Sequence, residues 1–72
     1  MKEFLKVSFP EPRDVLINGE INGITNKVLE LDRGGYEVSL APPPDFTPDQ
    51  QKIYLRNTTI LTPMEIEFKK KT

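Results

Sequence analysis

A chain of 72 residues, with 10 basic and 11 acidic side chains and a net charge of −1, has room for one domain and one small core. It contains no cysteine, histidine or tryptophan, which excludes disulfides, thiolate ligands and imidazole bases. The even charge balance disfavours nucleic acid as a partner, because tight backbone binding needs a basic face.

Along the chain, apolar residues recur at every second position, the period of a strand. In "EFLKVSF", residues 3–9, Leu5, Val7 and Phe9 share one face. Pro10 and Pro12 end that strand, since proline cannot donate to a ladder. Val15 and Ile17 share a face in the next strand, and Asn18-Gly19 after them reads as a two-residue primed turn. Asn22-Gly23 follows too soon for a second hairpin and predicts a bulge, or a bend where the chain leaves the strand. Leu29 and Leu31 alternate with Val28 and Glu30, and "DRGG" at 32–35 supplies a turn. Tyr36, Val38 and Leu40 then alternate with Glu37 and Ser39.

"APPPDFTPDQ", residues 41–50, is a long proline-rich connection. After it, Ile53 and Leu55 flank Tyr54. Asp49 could cap a helix here, but β-branched and aromatic residues favour a strand. "TTIL" at 58–61 is a candidate seventh strand. Met64, Ile66 and Phe68 alternate with Glu65 and Glu67 ahead of the lysine tail. The pattern predicts an all-β chain, a small antiparallel β-sandwich of six to seven short strands, forming a single domain over 1–72.

No motif carries a reaction. Ser8 and Ser39 have no histidine base. Glu65 and Glu67 share a face that the alternation turns to solvent. Asp45 and Asp49 are too few for calcium and suit a turn. "NGEING" lacks the helix and the Lys-Ser/Thr step of a phosphate loop. No catalytic, metal or cofactor-binding residue is therefore assigned, and no cofactor is expected. "MKEFLKVSFPEP" has no apolar run of signal-peptide length, and no segment has the length of a membrane span. The expectation is a cytoplasmic chain as written, without membrane insertion, or an envelope-associated one if it belongs to a longer protein.

A partner surface is the remaining option. Its candidates are Tyr54, whose neighbours in sequence point inward, Phe46, and Pro42, Pro43 and Pro44, whose polyproline conformation suits an aromatic groove. Phe46 has a second reading, as a plug that folds back over one end of the core, and this is the expected one. The alternative function is a small β-barrel binding single-stranded nucleic acid through Lys52, Tyr54, Arg56 and the basic tail.

"FPEPRDVLINGEINGIT" resembles the opening of the PEGA domain family, in which Pro-Glu-Gly-Ala precedes an alternating strand, a turn ending in Gly, and Gly-x-Thr. Pro10 and Glu11 match the signature, Val15 and Ile17 the strand, Gly19 the turn, and Gly23 with Thr25 the later element. "LDRGGYEVSL" is similar to the family's Leu-x-x-Gly-x-Tyr-x-Val-x-Leu segment, through Leu31, Gly34 or Gly35, Tyr36, Val38 and Leu40. Asp45-Phe46 stands where the family has a Gly-aromatic pair. Pro12 and Arg13 replace Gly-Ala, and Asn26 replaces a proline. Residues 5–68 share the resemblance. It implies a prokaryotic β-sandwich with no catalytic activity, found in surface or envelope proteins or fused to kinases. On that basis the chain is expected to be a non-catalytic binding or structural interaction module whose partner is a protein or a cell-envelope component.

Overall fold

A strand of alternating side chains turns one row inward, and the inward rows of this chain build its core. The computed structural model describes residues 2–71, which form nine strands and no helix. They are β1 (Lys2–Ser8), β2 (Asp14–Ile17), β3 (Glu20–Ile24), β4 (Val28–Asp32), β5 (Gly34–Leu40), β6 (Phe46–Thr47), β7 (Gln51–Leu55), β8 (Met64–Glu67) and β9 (Lys69–Lys70). One sheet has the order β4-β1-β8 and the other β3-β2-β5-β7, while β6 and β9 form a short ribbon. Leu5, Val7, Leu29 and Leu31 of the first sheet join Val15, Ile17, Val38, Leu40 and Leu55 of the second in one buried cluster. The fold is a small all-β sandwich, as the alternation requires.

Phe46 is the plug. It is 6% exposed. Its ring meets Phe9 and Phe68 at centroid distances of 6.3 and 5.7 Å, nearly perpendicular to both. This is the edge-to-face arrangement that the ring quadrupole favours. Phe46 is accordingly withdrawn from the candidate partner surface. The ribbon that carries it was not visible in the alternation, because a two-residue strand has no period to read. Phe46 pairs with Lys70 and Thr47 with Lys69, so these two tail lysines belong to the fold. Thr72 lies outside the described residues.

The opening hairpin follows its turn chemistry. Asn18 and Gly19 have φ of 52° and 87°, both positive as a primed turn needs. The second Asn-Gly is a bulge. Asp14 faces Ile24 and Leu16 faces Ile21, which leaves Asn22 and Gly23 together opposite Val15. Gly23 has φ of 139°, and a Cβ there would come within 2.1 Å of Leu29 Cδ2. A glycine lets β3 approach β4 at this point. β3 is a sheet edge with Ile21 exposed, and the bulge interrupts the row of main-chain groups that could pair with another strand.

Two expectations change. β1 and β8 run parallel, from Leu5 opposite Met64 to Ser8 opposite Glu67, whereas the other strand pairs are antiparallel. No hairpin joins β1 to β8, so no tight turn dictates their relative direction. "TTIL" forms no strand. Asn57 before it has φ of 58°, and Pro63 after it cannot donate to a ladder, so these four residues form the tip of a loop.

Candidate functional site

The proline-rich end of the sandwich is closed by its own charges. Pro10 to Pro12 lead the chain out of β1, and Arg13 follows with its side chain only 10% exposed. Its guanidinium lies 5.3 Å from the Phe9 ring centroid. Nη1 donates to the carbonyls of Ala41 and Pro43, each at 3.1 Å, and to Asp45 Oδ1 at 3.0 Å. Nη2 donates to Glu11 Oε2 and Asp45 Oδ2, each at 3.2 Å. Lys70 pairs with Glu11 and Asp45. Two acids and two bases thus neutralise one another. Hydrogen bonds from Arg13 hold the Asp45 carboxyl below the usual carboxylate range. A carboxylate so held is a poor proton acceptor at neutral pH.

The same cluster accounts for the proline run. The Pro43 carbonyl already accepts from Arg13 Nη1 and from the Asp45 amide. A partner groove that reads polyproline carbonyls would find this one occupied. Pro42, Pro43 and Pro44 remain exposed as rings. Thr25, 2% exposed, ties the next connection in: its hydroxyl donates to the Glu11 carbonyl and accepts from the Arg13 amide, both at 2.9 Å.

On β7, Tyr54 is 56% exposed while its neighbour Leu55 is wholly buried. The Arg56 guanidinium sits 5.7 Å from the Tyr54 ring centroid. Lys52 is exposed but lies opposite Glu37 on β5. An open depression of about 260 Å³ beside them is lined by Asn18, Gly35, Tyr36, Glu37, Lys52 and Ile53. Glu65 and Glu67 are exposed, Ser8 and Ser39 half-buried. Among the described residues, no group of three or more acidic side chains is placed to hold a metal ion. The described residues form no helix, and so none long and apolar enough to cross a membrane.

The loop from Arg56 to Pro63 holds what the strand pattern concealed. Its base is fixed by Glu3, an inward residue of β1 that is 1% exposed. Glu3 Oε1 accepts from the Thr58 hydroxyl at 2.7 Å and from the Thr58 amide at 2.9 Å, and Oε2 accepts from Arg33 Nε at 3.3 Å. The Thr58 hydroxyl oxygen also accepts from the Phe4 amide at 2.7 Å. The hydrogen bonds from Thr58, with help from Arg33, outweigh burial and hold the Glu3 carboxyl below its ordinary range. Beyond this clamp the chain turns sharply. Thr59 and Thr62 exchange amide-to-carbonyl hydrogen bonds in both directions, and their hydroxyls lie 2.7 Å apart. Between them Ile60 and Leu61 project, 65% and 89% exposed. Two adjacent aliphatic side chains are thereby presented by a preformed turn.

The sequence pattern offers 58–61 only as a candidate seventh strand and gives Glu3 no role. One signal was available: Asn57 and Pro63 bracket the run and mark a loop. The Glu3–Thr58 contact leaves no local trace, because its partners lie 55 residues apart.

The class defined here is a small all-β sandwich with closed charge clusters and one apolar loop tip. Comparison of the chain with protein-family models, with curated proteins and with solved structures finds no match.

Proposed function

We propose that this chain is a non-catalytic interaction module of the PEGA-like type, which meets a protein or a cell-envelope component through the loop Arg56–Pro63. The observation that carries the reading is the Ile60-Leu61 tip, exposed to water on a turn that a buried carboxylate anchors. A lone exposed aliphatic residue is ordinary. An adjacent pair held in a fixed turn is better explained as a contact point, because a preformed loop loses little conformational freedom on binding. The primed turn at Asn18-Gly19 and the half-buried Tyr36 stand where the PEGA resemblance puts a turn and a tyrosine, and support that part of the reading.

The test is a chain carrying both Ile60→Ser and Leu61→Ser. Its unfolding free energy should stay within about 0.5 kcal/mol of the parent, as for surface positions outside the packing. The Thr59 and Thr62 amides of the parent should be protected from hydrogen exchange without any partner. A loss of more than about 1 kcal/mol would assign the tip to packing within the domain and end the proposal.

A second reading keeps one observation, the Arg56 guanidinium stacked on exposed Tyr54. With Lys52 it offers a cation and a flat ring to a single-stranded nucleic acid. Lys70 contributes little there, since it is committed to Glu11 and Asp45. An oligonucleotide that shifts the Tyr54 signals in a salt-sensitive manner would favour this reading.

A further inference from the structure

Within the loop Arg56–Pro63 the one charged side chain is Arg56, a cation, although the chain's net charge is −1. Lys52 on β7 faces Glu37, Asp49 and Glu65 lie outside the loop, and the Glu3 carboxylate at its base is buried and paired with Arg33. Arg56 opens the tip loop and rests against Tyr54, whose ring and hydroxyl suit the boundary between oil and water. The base of the turn pairs its own polar groups. The amides and carbonyls of Thr59 and Thr62 are paired with one another, as are their hydroxyls. Groups already paired lose little when water leaves, whereas unpaired ones are costly to bring near hydrocarbon. A protein groove that binds main chain would want those groups free.

We propose that the Ile60-Leu61 tip docks on an anionic lipid surface, with the two aliphatic side chains at the headgroup–acyl boundary and Arg56 among the phosphates. This rests on the reading of the tip as a binding surface, and it names the surface. Contact is interfacial, with the tip at the surface of the bilayer. Two side chains and one or two cations give weak, reversible attachment, no stronger than that of a single acyl chain, on the order of 10⁴ M⁻¹.

The full chain is mixed with vesicles of phosphatidylcholine alone and with vesicles enriched in phosphatidylserine, and co-sedimentation is measured. Binding is expected to the anionic vesicles and to weaken as salt is raised. Leu61→Asp should reduce it more than about tenfold, and Arg56→Gln about fivefold. A Leu61→Trp chain should show a blue-shifted emission on the anionic vesicles only. Equal binding to both vesicles overturns the proposal, as do binding that Leu61→Asp leaves intact and absence of binding at millimolar lipid. Thermal melting of each variant separates the two levels of the reading. If Leu61→Asp melts with the parent and the parent ignores vesicles, the lipid surface is wrong and an apolar pocket on a protein takes its place. If the variant melts far earlier, the tip is structural and both readings fall.

Discussion

Replacing Phe46 with alanine removes a ring that is 6% exposed and touches two other rings edge-on. Truncating a buried phenylalanine costs about 3–5 kcal/mol, more where the surroundings cannot collapse into the space. The upper half of that range is expected here. Pro44 and Pro48 stiffen the backbone on both sides, and Arg13 holds the loop through Ala41, Pro43 and Asp45. The two edge-to-face pairs, each contributing about 0.5–1.5 kcal/mol, disappear together. At about 0.05–0.15 kcal/mol per residue a domain of this length holds roughly 4–11 kcal/mol in all, so the variant should sit near its folding limit. Urea titration followed by circular dichroism measures the loss. Phe46→Leu, which keeps an apolar side chain in the space, should recover more than half of it. Hydrogen exchange should show the Phe46–Lys70 pairing and the Lys71-to-Asp45 bond opening first in the alanine variant. A Phe46→Ala chain with midpoint and slope within about 0.5 kcal/mol of the parent would refute the plug.

Gly19→Val should cost about 1–2 kcal/mol or more through the backbone alone, since φ is 87° and no atom lies within 4 Å of the added Cβ; an unchanged midpoint would argue against the primed hairpin. Gly23→Ala adds a clash with Leu29 to a strained φ and should exceed about 2 kcal/mol. If it proves milder than Gly19→Val, the close approach of β3 to β4 is misplaced. The Glu3 carboxyl has a folded-state pKa below its unfolded one, so the stability it contributes is complete above the ordinary carboxylate range and is lost as the pH falls through the folded value. Asp45 acts in the same direction. The urea midpoint should therefore fall below about pH 5, and Glu3→Gln should lower it at neutral pH while flattening the acid slope; an unaltered acid slope would remove Glu3 from that role. Zinc, calcium or magnesium should leave the melting temperature unchanged, and saturable stabilisation by any of them would reveal a site among the carboxylates.

Local pattern determined the inward rows of this protein. Leu5, Val7 and Phe9, then Val15 and Ile17, then Leu29 and Leu31, and finally Val38 and Leu40 could be read from spacing alone and are all buried. Asn18-Gly19 and Asn22-Gly23 could be read as turn and bulge because a positive φ is a property of single residues. Tertiary structure decided what depends on distant partners. The parallel pairing of β1 with β8 joins segments from the two ends of the chain, and no hairpin geometry announces its direction. Phe46 and Lys70 form a ribbon only because the plug places them side by side. Glu3 alternates correctly as an inward residue, yet sequence patterns expect an inward residue to be apolar. It is tolerated there because Thr58 and Arg33, 55 and 30 positions away, supply the hydrogen bonds that a buried carboxylate needs. By holding Thr58 it also anchors the loop that leaves Ile60 and Leu61 in water, where a strand in a sandwich would have turned one of them inward.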